Sequence, residues 1–223
     1  MPTTLDTIDS PEDFIYDPSL VLYLPLHKLD GASFMSKDAY GHLCTVTGAL
    51  WRPNGREFDG VDDYIDCENA VSLQPTSFTI FYWFKPGASV YTKAPVSKQA
   101  GNYGFYTDVT GSEQARIAMW NGVSGVDVIW VAVPYEIGVW IQIAFTYDAT
   151  TDAVKSYANG VYSKGGGSDT YADYSPDTTK GLWVMRLGNA YAQGTFGELI
   201  MYSRALSDIE IHRNYLTTKW RYK

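Results

Sequence analysis

The chain has 223 residues, with 25 acidic against 17 basic side chains and a formal net charge of −8. That field repels phosphate backbones and anionic lipid, which argues against nucleic acid as a partner. The first residues lack the basic and apolar regions of a secretion signal, and no stretch approaches the roughly 18 apolar residues of a membrane span, so neither Sec export nor membrane insertion is expected.

Residues 1–18 are acidic and polar and read as an N-terminal arm, in which Ser10-Pro11-Glu12-Asp13 offer the cap, proline and first-turn acids of one helical turn. Residues 19–223 read as a single domain with room for one substantial core. Its 20 Gly, 10 Pro, 7 Trp, 18 Tyr and 9 Phe suit many strands joined by tight turns, because aromatic side chains fit a pleated, half-buried surface. Leu20-Val21-Leu22-Tyr23-Leu24 opens the strands. Residues 43–46 and 56–58 are predicted to pair as a hairpin around Trp51-Arg52-Pro53-Asn54-Gly55. Residues 78–84 are apolar on both faces, as in a central strand, and Lys85-Pro86-Gly87 ends it because proline cannot donate to a ladder.

Further along, Ile141, Ile143, Phe145 and Tyr147 alternate with Gln142, Ala144 and Thr146, the period of a strand. Asn159-Gly160 between residues 154–158 and 161–164 predicts a type I′ hairpin, since both residues tolerate positive φ. A polar, glycine-rich loop through Lys180 follows, then a strand at residues 182–187. The strand pattern of residues 194–202 runs into a helix start, with Ser207 as N-cap and Glu210 as the returning arm of a capping box. The helix, residues 208–220, is predicted to turn Ile211, Tyr215, Leu216 and Trp220 inward. Cys44 and Cys67 allow one disulfide or two half-buried reduced thiols, and their spacing is not that of a metal site.

Several of these segments resemble the laminin G-like, concanavalin A-like lectin/glucanase superfamily. They are Phe58-Asp59-Gly60-Val61-Asp62-Asp63-Tyr64-Ile65, Phe78-Thr79-Ile80 with Trp83, Trp140-Ile141-Gln142-Ile143-Ala144-Phe145-Thr146-Tyr147-Asp148, Tyr157-Ala158-Asn159-Gly160, Leu187-Gly188-Asn189, and Gly194-Thr195-Phe196-Gly197-Glu198-Leu199. The resemblance implies an all-β fold, a two-sheet antiparallel jelly-roll sandwich with one concave sheet, here with a short C-terminal helix. It also implies glycan or protein binding. The chain departs from the family at Gly197, where an acid is common beside Glu198, and at Gln142, where His is common.

Glycosidases on related folds need two carboxylates held roughly 5 to 10 Å apart across the sugar bond. The local signature E-x-D-x-x-E is missing, the three histidines lie in unrelated segments, and no Ser or Cys sits in a nucleophile motif, so no enzymatic activity and no catalytic residue are expected. The turn holding Asp59, Asp62 and Asp63 is the candidate for Ca²⁺, with Glu198 contributing from a neighbouring strand; a metal-free, Asx-rich turn is the alternative. Glycan binding calls for aromatic faces and amides on loops. Tyr91, Asn102, Tyr103, Tyr106, Trp120, Asn121, Trp130, Tyr171, Tyr174, Asn189 and Tyr191 supply them, whereas Trp83 and Trp140 match family core positions. The expectation is a non-catalytic recognition module for carbohydrate or a surface protein, on a virion or extracellular surface. The alternative is a structural virion decoration or fibre protein whose partners are capsid or other virion subunits.

Overall fold

The computed structural model describes residues 17–87, 94–109, 113–123, 133–163 and 173–223. The chain enters through β1 (Leu20–Pro25), β2 (Ser33–Met35) and β3 (Leu43–Thr47), followed by β4 (Leu50–Arg52), β5 (Gly55–Asp59) and β6 (Tyr64–Asp66). After a 3-10 turn at Val71–Leu73 come β7 (Phe78–Pro86), β8 (Val96–Ala100), β9 (Tyr103–Val109), β10 (Gln114–Met119) and β11 (Val133–Pro134). Next are β12 (Ile141–Asp148) and the hairpin of β13 (Ala153–Ala158) with β14 (Val161–Tyr162). Short β15 (Trp183–Val184), β16 (Arg186–Leu187) and β17 (Ala190–Tyr191) precede the long β18 (Gln193–Tyr202), the helix α1 (Asp208–Thr218) and a 3-10 turn at Lys219–Arg221.

Two antiparallel sheets form the sandwich. The first runs β14-β13-β12-β7-β18-β5-β4, with β1 also on β18; the second runs β11-β10-β9-β8-β15-β6-β3-β2. As its two apolar faces require, β7 lies between β12 and β18. Ile80, Tyr82 and Phe84 point into the core between the sheets, while Phe81 and Trp83 point out. The outward face is not left to solvent. Ile211 of α1 and Tyr222 cover it, joined by Leu20, Tyr157, Ile200 and Tyr202 in a second apolar cluster.

Three details differ from the sequence expectation. The strand over residues 43–46 joins β2 and β6 in the second sheet, so the partner of β5 is β4 and the hairpin is tighter than predicted. Residues 182–187 do not form one strand, because Met185 adopts φ +65 and breaks it into β15 and β16. On α1 the buried residues are Ile211, Asn214, Thr217 and Thr218, with Leu216 and Trp220 mostly outward. The inward polar groups are engaged: Thr218 Oγ1 accepts from Trp83 Nε1 at 2.8 Å and Asn214 Nδ2 donates to Tyr202 Oη at 3.2 Å. Hydrogen bonding satisfies a face that apolar periodicity alone assigns elsewhere. Of the two cysteine alternatives, the structure has free, buried thiols, with hydrogen bonding to Cys44 and burial pushing the Cys67 thiol well up. The predicted turn at residues 10–13 lies outside the described residues.

Candidate functional site

The aspartate turn links β5 of the first sheet to β6 of the second, at the rim of the sandwich. Its shape is set locally: Asp63 Oδ2 accepts from the Asp59 amide at 2.9 Å and Asp59 Oδ1 from the Val61 amide at 2.8 Å. Gly48 makes room for the buried Asp63, since a Cβ there would meet Asp63 Oδ1 at 1.7 Å. Burial, together with the neighbouring Asp59 and Asp62 carboxylates, pushes the Asp63 carboxyl above its ordinary value. Asp59, Asp62 and Asp63 each bring a carboxylate oxygen within 4.8 Å of the others. Two oxygens on one calcium at about 2.3 to 2.6 Å each can stand no more than about 5 Å apart, so the turn fits that ion. Beside it lies a groove of about 400 Å³ lined by Asp59, Asp63, Lys85, Gly87, Gln193 and Thr195 among others.

The structure does not bring Glu198 to this cluster. Asp59 lies opposite Gln193 on β18, and the rise along the strand from Gln193 to Glu198 is about 16 Å. A bulge at Gly197 shifts the register between Phe196 and Glu198, so Phe196 faces the core while Glu198 joins the outer face. There Glu198 is fully buried, with Arg221 Nη1 3.5 Å away. A Cβ on Gly197 would stand 2.4 Å from the Tyr222 ring. The departure from the family at this position makes space for the C-terminal segment. The other departure, Gln142, holds the β13–β14 turn, its Oε1 accepting from the Gly160 amide at 2.7 Å.

Five of the proposed ligand-binding residues gather at one end of β9 and β10. Tyr106 and Trp120 are in contact, ring centroids 5.2 Å apart and tilted. Tyr103 is half exposed and lies over Gly122, whose amide donates to the Asn102 carbonyl at 2.8 Å; Asn121 Oδ1 accepts from the Val123 amide at 3.0 Å. Tyr174 is elsewhere. Its ring packs edge-on against Phe78 and Tyr147, at 5.4 Å from each, partly buried against the core. Burial pushes its hydroxyl pKa strongly up, and the half-buried Tyr174 packs against the core of the sandwich. Asn189 tips the β16–β17 hairpin, exposed, while Tyr91, Trp130 and Tyr171 lie outside the described residues.

The remaining member, Tyr191, belongs to a cluster that the sequence did not reveal. Register pairs Ala118, Tyr106, Ser97, Trp183, Asp66 and Thr45 in one row across the second sheet. Their chain neighbours Phe105, Val96, Val184 and Ile65 are all core residues, so alternation turns the row outward. In an unbroken strand Trp183 and Arg186 would face opposite ways. Left-handed Met185, pinned by its amide on the Pro95 carbonyl at 2.8 Å and its carbonyl on the Ala192 amide at 2.9 Å, brings them to the same side. The Arg186 guanidinium lies 4.3 Å from the Trp183 ring, 4.4 Å from Tyr64 and 5.6 Å from Tyr191.

An all-β sandwich with aromatic rings on an outward sheet face and an acidic turn at its rim has the architecture of a lectin-like domain. Residues 59–212 match the laminin G model described as the concanavalin A-like lectin/glucanases superfamily, and the chain belongs to that family. No curated protein sequence matches the chain. Among solved structures it is similar to Trypanosoma rangeli sialidase in complex with sialic acid, with 16% identity, a TM-score of 0.67, and coverage of 91% of this chain and 33% of that one. It is also similar to the binding domain of botulinum neurotoxin DC, solved in complex with SialylT, with 12% identity, a TM-score of 0.67, and coverage of 89% of this chain and 51% of that one. The same binding domain in complex with rat synaptotagmin II gives 12% identity, a TM-score of 0.65, and coverage of 88% of this chain and 51% of that one. The chain thus spans about a third of the sialidase and half of the neurotoxin domain, and at these identities the likeness is one of fold.

Proposed function

We propose that the chain is a non-catalytic recognition module that binds carbohydrate, or a surface protein, from the surface of a particle or cell. The observation that carries this reading is the outward row of the second sheet, where Tyr106 and Trp183 lie in register through Ser97 and further rings, Trp120, Tyr64 and Tyr191, adjoin them. Rings of this kind stack on the C–H faces of sugars, and the amides and carboxylates nearby bond hydroxyls. The neurotoxin binding domain, solved with SialylT and with synaptotagmin II, supports glycan and protein as the two partner classes for such a fold. Calcium at Asp59, Asp62 and Asp63 neutralises the rim and offers its open coordination positions to a ligand oxygen.

A glycan array probed with the full chain, once with millimolar calcium and once with chelator, tests the reading. Binding to a defined subset of glycans, lost in a Tyr106→Ala, Trp120→Ala double variant that keeps its melting transition, is the expected result. No binding to any glycan under either condition would refute the carbohydrate reading.

A further inference from the structure

We propose that Arg186 is a carboxylate-reading fork, and that the glycans this surface recognises carry an acidic sugar with a free carboxylate. This rests on the glycan reading above and adds to it the chemical class of the ligand. The geometry is that of a guanidinium set against aromatic rings, with one nitrogen bound and two left open. The Trp183 and Tyr64 ring centroids lie 4.3 and 4.4 Å from its central carbon, two cation–π contacts that hold the side chain in place. Nε donates to the Gly188 carbonyl at 2.9 Å, which fixes the rotation within that plane. Among the described residues no carboxylate pairs with it, and the two terminal nitrogens have no protein acceptor. A clamped guanidinium with both terminal nitrogens open presents two parallel N–H donors, the pattern that matches a carboxylate bidentately.

The backbone supports the same conclusion. Met185 is a buried, non-glycine residue at φ +65, a conformation that costs on the order of 1 to 3 kcal/mol and persists only where surrounding structure enforces it. Its effect is to put Arg186 on the ring of Trp183. The chain as a whole carries a net charge of −8, and among the described residues half-buried Arg186 has no carboxylate partner, unlike the ion-paired Arg52, Arg116, Arg204 and Arg221. Tyr191, opposite Arg186 in the β16–β17 pairing, and exposed Asn189 at the hairpin tip flank the fork with a ring and an amide for the rest of the sugar.

The test is a titration of the full chain with matched oligosaccharides that end in a neutral sugar, in its carboxylated counterpart, or in its sulfated counterpart, read by saturation-transfer NMR or calorimetry. The carboxylated probe is expected to bind at least about tenfold more tightly than the neutral one, the size of a charge-assisted pair. Arg186→Gln and Arg186→Lys are both expected to erase that preference, the lysine variant despite its charge, because an ammonium lacks the planar fork. The wild-type comparison needs no variant and stands even if one fails to fold. Equal binding of neutral and carboxylated probes would overturn the proposal and leave the glycan reading standing, as would an undiminished preference in Arg186→Lys or an equal gain for the sulfated probe. Binding to none of the probes would overturn the proposal together with the glycan reading.

Discussion

Gly160 is the position at which a single methyl group should disturb both the sheet and the helix that covers it. Asn159 and Gly160 have φ of +50 and +74, the two left-handed centres of a type I′ turn. A β-branched residue forced into that conformation costs about 1 to 3 kcal/mol. The structure adds a second cost that the turn type does not contain. A Cβ on Gly160 would stand 2.6 Å from Tyr215 Cβ, which is fixed to the helix backbone and cannot swing away, and 2.9 Å from its Cγ. The whole of α1 must shift, and with it the stacking of Tyr215 on Trp83 at 5.8 Å. Overpacking of this kind costs about 1 to 3 kcal/mol more. Gly160→Val should therefore lose about 2 to 6 kcal/mol. At about 2 to 4 °C per kcal/mol in a domain of this size, the melting temperature should fall by on the order of 10 °C. Equilibrium denaturation of the parent, Gly160→Ala and Gly160→Val supplies the series. Repeating Gly160→Ala in a Tyr215→Gly background separates the two terms, since only glycine removes the clashing Cβ, and a coupling of about 1 kcal/mol or more is expected between them. A valine variant that melts with the parent, or a strictly additive cycle, would refute this account.

At the rim, millimolar calcium should raise the melting temperature and Asp63→Asn should abolish the gain; an unchanged melt with calcium and with chelator would rule out the metal. Because the folded-state pKa of Asp63 is raised above 3.8, its ionisation without metal costs stability as pH rises through that folded value, and calcium should remove this part of the pH dependence. Glu210 behaves in the opposite sense: Arg204 and the Ser207 cap lower its carboxyl from 4.5 to about 2, so its contribution is complete above 4.5 and lost as pH falls through about 2. Glu210→Ala should then cost about 1 kcal/mol near neutral pH through loss of the capping box, with the gap to the parent closing towards pH 2; a gap that stays constant with pH would contradict the assignment. Deleting residues 1–13 should leave the melting temperature within a few degrees and weaken assembly with a partner subunit, because Asp17, still present, ties the first described residues to Arg204 at 2.7 Å. Unfolding of the truncated chain would make the arm an integral strand.

What was legible in the sequence was what local chemistry decides. The capping box at Ser207 and Glu210 forms as read, with Glu210 Oε2 accepting from the Ser207 amide at 2.7 Å, because all its parts lie within one helical turn. The alternation in β12 and the Asn159-Gly160 turn have the same character: each is settled by residues that are close in sequence. The aspartate cluster was legible for that reason too. Glu198 was not, because its placement depends on a bulge and on register, and its neighbour Gly197 is explained only by the Tyr222 ring arriving from the far end of the chain. Tyr174 shows the converse, a loop aromatic by position whose partners Phe78 and Tyr147 draw it against the core.

Arg186 is the most instructive of the residues that the sequence concealed. Residues 182–187 read as a plain strand, and a plain strand places Trp183 and Arg186 on opposite faces, where no shared site could exist. Methionine carries no preference for positive φ that would give the break away, unlike the glycine or asparagine that marks a turn. The conformation is imposed from outside, by the Pro95 carbonyl and the Ala192 amide on either side of Met185. Tertiary contacts thus decide which face Arg186 occupies, and that decision sets its guanidinium against the rings of Trp183 and Tyr64. A backbone held against its own preference, at the one point where doing so unites a cation with three aromatic rings, places the chemistry of this surface at the β15–β16 break.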